Sequence, residues 1–347
     1  MPALYNHQLS FEENFTKGPF FDGEISARKF PPESTWFNFL GHKIASRIGV
    51  PAGPAMNAKW VSLAAELGFD VIVYKTIRTQ KYPCHPLPNI TFVDANITTQ
   101  NLDTPLTVAG HETMGITNSF GMPSQDPDFL RSDIARAKAV LKPGQLLIVS
   151  AVGTPRPGED FTVDFMEAVK MAKEFGGEIV EANFSCPNVC TGEGSLYTNP
   201  ETVKDLGGKL VAALGNTPLI LKIGFFRDPQ IMRQVFIAAA QAGVRGISGL
   251  NSVAMKVIDE TGEPALGPNR LTSGVCGSPI RELALQFVRD AHKIINEEKL
   301  DLTLIGVGGV TEPQHFQDLL DAGADLAMSA TGMMWDPYLA QKFHSQK

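Results

Sequence analysis

Four cysteines are spread over 347 residues, too few for the disulfide framework that holds small secreted folds together. Cys84, Cys186, Cys190 and Cys276 fit no zinc pattern either, because the 186/190 pair lacks a second CxxC or a pair of histidines. No metal is expected, and a reduced, cytoplasmic setting is. No apolar run approaches the ~18 residues that span a bilayer. The polar start, Met1 to Gln8, lacks the basic and apolar regions of a leader. Basic residues are scattered and outnumbered, 30 against 37 acidic, giving a net charge of −7. That balance argues against a nucleic-acid footprint or an anionic membrane surface. Short repeats and low-complexity tracts are also missing. The hydrophobic content of 43% is ample for one large α/β domain or two ordinary ones.

From about residue 45 a rhythm sets in of short apolar run, polar turn and amphipathic segment. The apolar runs fall at 44–50, 71–75, 146–152, 179–183, 219–223, 246–250, 303–307 and 326–329. Most are apolar along their whole length, as expected of strands covered on both faces. Helical stretches are expected at 61–67, 128–141, 162–175, 199–214, 229–242, 279–296, 312–322 and 337–344. Asp228-Pro229 and Thr311-Glu312-Pro313 read as helix starts with a capping oxygen, and Gly68, Gly243 and Gly323 as residues just past helix ends. Eight strands alternating with eight helices make a (β/α)8 barrel. A doubly wound sheet is the structural alternative, but its glycine fingerprint after the first strand is absent. Residues 1–44 read as an N-terminal extension covering the barrel, 45–347 as the barrel itself. Residues 83–124 form a long insertion after strand two, too long for an ordinary connection.

Barrel enzymes work at the carboxyl ends of their strands. Those ends read Lys75, Asn183-Phe184-Ser185-Cys186-Pro187-Asn188, Lys222, Asn251-Ser252, Gly308-Gly309 and Thr331-Gly332. Two amides beside a thiol can grip a planar polar ligand while the sulfur reaches its edge, and Pro187 restrains the backbone after Cys186. The bland alternative is a small buried cysteine in a strand-end turn. Lys75 and Lys222 each end an apolar strand, where an ammonium needs an anion or is costly to bury. A structural ion pair is the competing explanation for either alone. Residues 306–310, 330–333 and 273–278 are read as three glycine loops on the last third of the barrel, the usual place for a phosphate in this architecture.

With these residues in view, the chain resembles the dihydroorotate dehydrogenase family, closest to its soluble class 1 branch, over roughly residues 45–340. The family's Asn-Leu-Ser-Cys-Pro-Asn-Val appears as Asn183-Phe184-Ser185-Cys186-Pro187-Asn188-Val189, and its Asn-Ser-Met-Gly-Leu-Pro-Asn as Asn118-Ser119-Phe120-Gly121-Met122-Pro123-Ser124. Its Thr-Lys-Ser, Val-Lys-Leu and Asn-Ser match Tyr74-Lys75-Thr76, Leu221-Lys222-Ile223 and Asn251-Ser252. Its Gly-Gly-Leu-Ser-Gly loop becomes Ser273-Gly274-Val275-Cys276-Gly277. Its closing Gly-Gly-Ile and Gly-Thr become Gly308-Gly309-Val310 and Ala330-Thr331.

The resemblance implies FMN-dependent oxidation of dihydroorotate to orotate, a step of pyrimidine biosynthesis. Cys186 would take the C5 proton while hydride passes to the flavin; class 2 members have Ser there. Lys222 would lie at the flavin N1/O2 edge, with Lys75 near both flavin and substrate. Asn118, Asn183, Asn188, Asn251 and Ser252, with Gly121 and Met122, would hold the pyrimidine. Ala52, Gly53, Thr76, Gly277, Gly308, Gly309, Ala330 and Thr331 would join the two lysines around FMN. A homodimer is implied, and an electron-transfer partner subunit is compatible with the family. Alternatives are a dihydropyrimidine dehydrogenase-like reduction of uracil or thymine, and a flavin-binding barrel without turnover. Iron–sulfur domains of a complete dihydropyrimidine dehydrogenase would need far more cysteine. A transfer-RNA dihydrouridine synthase would need the basic face that this chain lacks.

Overall fold

The computed structural model describes residues 4–185 and 196–346. In chain order come α1 (Phe11–Lys17), β1 (Phe37–Phe39), β2 (His42–Ile44), β3 (Ile48–Val50), α2 (Ala58–Glu66), β4 (Val71–Ile77), β5 (Ile90–Phe92), β6 (Leu106–Thr107) and β7 (Gly115–Asn118). Then follow α3 (Pro127–Ala139), β8 (Leu146–Ala151), α4 (Phe161–Glu174), β9 (Ile179–Asn183), α5 (Pro200–Leu214), β10 (Leu219–Lys222), α6 (Pro229–Gln241) and β11 (Gly246–Gly249). The last third holds β12 (Val253–Met255), β13 (Val257–Ile258), β14 (Ser273–Gly277), α7 (Arg281–Glu297), β15 (Thr303–Val307), α8 (Pro313–Asp321), β16 (Leu326–Met328), α9 (Thr331–Trp335) and α10 (Leu339–Ser345).

Strands β3, β4, β8, β9, β10, β11, β15 and β16 pair in parallel and close into a barrel in sequence order. This is the expected (β/α)8 architecture. Alternation along each strand sends one set of side chains inward and the other against the helices. Val71, Val73, Leu146, Ile148, Ile179, Ile220, Ile305, Val307, Leu326 and Met328 form the inner cluster, while Ile72, Leu147, Val149, Val180 and Leu221 pack in the outer one. Phe39 and Ile44 join the inner cluster. The antiparallel hairpin β1–β2 thus plugs the lower end of the barrel.

That hairpin corrects the first expected strand: Ile44 ends β2, and the barrel strand begins at Ile48. A second correction concerns residues 273–278. Ser273–Gly277 is a strand, not a glycine loop, in an antiparallel sheet ordered β12–β14–β7–β5. The sheet joins two segments distant in sequence, 90–118 and 253–277, over one side of the barrel. A third is small: α8 is capped by Glu312, whose side chain makes no capping bond, whereas Asp228 does cap α6. Gly68, Gly243 and Gly323 have φ of 107°, 84° and 110°, as expected past helix ends. Helix α1 was not expected, although Ser10 and Glu13 form a capping box around its first turn.

Below the barrel Asp70 is fully buried and accepts from Ser46 Oγ (2.5 Å) and from Arg28 Nη1 and Nη2, the latter at 2.7 Å; Arg28 Nη1 also donates to the Gly68 carbonyl. This ties the N-terminal segment to the turn before β4. Truncating Ile44, which is wholly buried in the plug, to alanine should cost about 2–5 kcal/mol in urea unfolding. Val163→Ala, on the exposed face of α4, should change stability by no more than about 0.5 kcal/mol.

Candidate active site

Inward positions change character as the strands rise. On β9 the sequence of inward residues is Ile179, Glu181, Asn183; on β8 it is Leu146, Ile148, Ser150; on β10 it is Ile220, Lys222; on β4 it is Val71, Val73, Lys75. Glu181 apart, the lower layers are apolar, and the upper layer is polar or charged. Above that layer opens a cavity of about 1020 Å³, at the top of the range for small-molecule sites. Lined on its side by the β14–β7 sheet, it has more apolar than polar wall, with polar groups gathered at the strand ends.

All expected site residues within the described chain line this one cavity: Ala52, Gly53, Lys75, Thr76, Asn118, Gly121, Met122, Asn183, Lys222, Asn251, Ser252, Gly277, Gly308, Gly309, Ala330 and Thr331. Cys186 and Asn188 lie outside the described residues, as does Cys190.

Lys222 is buried, and its Nζ reaches only the Ser248 hydroxyl, at 3.4 Å, among the described residues. Burial draws its pKa down from the usual lysine value, and the nearby Glu181 charge opposes that drift. Lys75 sits at a β-bulge: Tyr74 pairs with Val149 and Ile77 with Ala151, so Lys75 and Thr76 together face Ser150. The Lys75 backbone N–H turns away to the Ala55 carbonyl, and Thr76 Oγ1 lies 3.1 Å from Ser150 Oγ. No described residue hydrogen-bonds the Lys75 ammonium. Burial lowers its pKa to about 8, with Cys84 opposing and Arg78 adding to the fall. Cys84 beside it is pushed up to about 12, chiefly by burial.

The amides are oriented by one another's neighbours. Asn183 Oδ1 accepts from Ser185 N (3.2 Å) and Ser185 Oγ (2.8 Å), and Ser185 Oγ in turn accepts from Asn251 Nδ2. Asn251 Oδ1 accepts from Ser252 N at 2.9 Å. Asn183 Nδ2 points at the Met122 thioether, 3.2 Å away, a weak acceptor that a better one could replace. Asn118 Nδ2 donates to the Gly274 carbonyl (3.1 Å) and to Cys276 Sγ (3.4 Å), a thiol also met by Thr331 Oγ1 at 3.6 Å. Gly121 and Met122 are both left-handed, φ 74° and 53°, and Arg78 holds their carbonyls from behind the cavity wall. At Gly277, φ is 84° and a Cβ would lie 2.0 Å from the Met114 carbonyl, so only glycine fits. Gly308 and Gly309, φ 122° and 69°, present backbone N–H groups that no described residue accepts from.

Residue-type reasoning missed Ser150, Ser185, Ser248 and Arg78. For the first and third, the signal was available in the two-residue alternation leading up to each strand end. Arg78 lies one residue past β4 and owes its role to a turn more than 40 residues away.

A parallel barrel whose mouth gathers two ammonium groups, three amides and open backbone donors is that of an enzyme acting on an anionic, hydrogen-bonding ligand. Residues 35–346 match the family model for dihydroorotate dehydrogenase. The chain belongs to the dihydroorotate dehydrogenase family and is an oxidoreductase of that kind. It is 45% identical over 357 residues to a dihydroorotate dehydrogenase of Dictyostelium discoideum, covering 99% of this chain and 96% of that protein. It is 28% identical over 234 residues to the dihydroorotate dehydrogenase B (NAD(+)) catalytic subunit of Exiguobacterium sibiricum, covering 66% and 69%. With dihydroorotate dehydrogenase A (fumarate) of Limosilactobacillus reuteri it shares 30% identity over 183 residues, 51% and 56% of the two chains. The crystal structure of DHODH from Eimeria tenella in complex with ferulenol superposes with a TM-score of 0.71 at 18% identity, over 93% of this chain and 85% of that one, a likeness of fold. No helix among the described residues is long and apolar enough to cross a membrane.

The Lys75 shift has a defined sign. The unfolded chain holds that proton up to about pH 10.5, the folded chain only to about 8. The burial cost is therefore absent above about 10.5 and fully present below about 8. Lys75→Met should unfold at higher denaturant than the parent at pH 7, and this advantage should shrink steadily towards pH 10.5.

Proposed function

We propose that this protein oxidises dihydroorotate to orotate with FMN as its cofactor. The observation that carries the reading is the cavity floor, where two lysine ammonium groups meet no carboxylate within ion-pair distance among the described residues. Such a floor fits an electron-accepting, anionic ligand. The open N–H groups of Gly308 and Gly309, next to Thr331 and Gly277, fit its phosphate. FMN, when bound, supplies the acceptor for the hydride.

Ala52, Gly53, Thr76, Gly277, Gly308, Gly309, Ala330 and Thr331 would hold it, together with both lysines. Lys222 places a fixed positive charge where negative charge grows as the substrate is oxidised, a preorganised stabilisation in a low-dielectric setting. Asn118, Asn183, Asn188 and Asn251 offer donors and acceptors in alternation, matching a ring of C=O and N–H groups without repelling its carboxylate. Ser252, Gly121 and Met122 complete that wall. Cys186 acts as the base: its sulfur takes the C5 proton, the C5–H electron pair becomes the C5=C6 bond, and the hydride leaves C6. Pro187 limits the backbone freedom of the thiol. A homodimer is part of this reading.

Anaerobic stopped-flow with dihydroorotate tests it. Cys186→Ala should reduce the flavin ~10²–10⁴-fold more slowly while keeping flavin and orotate bound. Cys186→Ser should recover in part at high pH, since a hydroxyl is the weaker acid, and Cys190→Ala should match the parent. Asn118→Ala should weaken orotate binding by ~1–3 kcal/mol. A colourless protein that takes up no added FMN, or a fast Cys186→Ala variant, would defeat the reading.

A further inference from the structure

Glu181 is the one inward carboxylate of β9, placed between the apolar Ile179 and the cavity-lining Asn183. It is 2% exposed, and its Oε1 has no hydrogen-bond partner among the described residues. Left alone, a buried carboxylate is costly to desolvate, so its position needs a physical reason. The strand register supplies one. Glu181 pairs with Ile220 and Asn183 with Lys222, so the carboxylate lies diagonally below the lysine, on the same interior face and one layer down. The two do not form a contact ion pair, and the ammonium remains free to meet the cavity.

We propose that Glu181 is a positioning residue for Lys222: a buried counter-charge beneath the cavity floor that keeps the lysine a cation aimed upward. Of the elements packed on Lys222, β11 contributes the neutral Ser248 and β9 contributes Asn183 and Glu181; the other charge lining the floor, Lys75 on β4, has the same sign. Burial alone would drive the ammonium towards its neutral form, and Glu181 is the group that opposes this. A carboxylate at hydrogen-bond distance would instead occupy the ammonium. Set one layer lower, it sustains the charge and leaves the Nζ donors for a ligand. The consequence for turnover rests on the proposed flavin reading; the charge relation does not.

The full-length chain, freed of flavin, is treated with acetic anhydride from pH 6 to 11, and acetylation of Lys222 is followed by peptide mass spectrometry. Only the neutral amine reacts. Glu181→Gln should lower the midpoint for Lys222 by at least one unit, about tenfold faster labelling on the rising limb. Glu181→Asp, which keeps the charge, should stay near the parent. Exposed Lys59 is the internal control and should not move. Glu181→Met, apolar and similar in volume, stands in should the glutamine variant not fold. Unchanged Lys222 midpoints in the glutamine or methionine variants would overturn the proposal. Added FMN should protect Lys222 in the parent. A midpoint shift without that protection supports the charge relation and sinks the flavin reading instead.

Discussion

The register of the closed parallel barrel is the constraint on which everything else depends. Parallel pairing from β9 to β10 to β11 sets Asn183 beside Lys222 and Lys222 beside Ser248, all inward and all at the upper rim. A slip of one residue in any of these strands would turn its polar end into the helix layer and an apolar side chain into the cavity. The inner cluster of Val71, Val73, Ile148, Ile179 and Ile220 resists such a slip, because the same slip would expose those side chains to the wrong layer. Packing below thus enforces chemistry above.

That arrangement also explains how a positive floor is tolerated. The apolar layers keep the dielectric low, which makes each ammonium expensive and each compensating charge effective over a longer distance. Glu181 compensates from beneath Lys222. For Lys75 the bulge in β4 does something different: it puts two consecutive side chains at the rim, so the lysine and Thr76 face the cavity together. Both lysines are left with donors that no described protein group satisfies, and an anion entering the cavity removes that deficit.

The outer parts serve the rim. The hairpin β1–β2 packs Phe39 and Ile44 into the inner cluster at the lower end. The sheet β12–β14–β7–β5 stands beside the mouth and carries Asn118 on one strand, with Gly274, Cys276 and Gly277 on the next. Cys276 touches both Asn118 and Thr331, linking the wall proposed for the pyrimidine to the end proposed for the phosphate. Arg78, buried behind the wall, holds the carbonyls of Gly121 and Met122 in a left-handed pair that costs energy without such support.

The eight barrel strands and the eight helices between them were legible in order because strands buried on both faces read as apolar runs, and helices between them announce their ends with proline, aspartate and glycine. The residue types of the site were legible for a related reason: a lysine or asparagine closing such a run has no ordinary structural purpose there. Ile44 read as barrel strand because a plugging residue is as apolar as a strand residue. Ser273–Gly277 read as a loop because of its two glycines, which are there since a side chain at Gly274 would strike Ser252 and one at Gly277 the Met114 carbonyl; the strand they belong to shows only in its pairing with β7, about 156 residues earlier. The same holds for the bond from Asn251 to Ser185 and for those of Arg78 to the Gly121 and Met122 carbonyls: the partners are remote in the chain, and local composition carries no trace of them. Periodicity and end signals are local and survive in the sequence; hydrogen-bond partnership across a closed barrel exists only once its first and last strands have met.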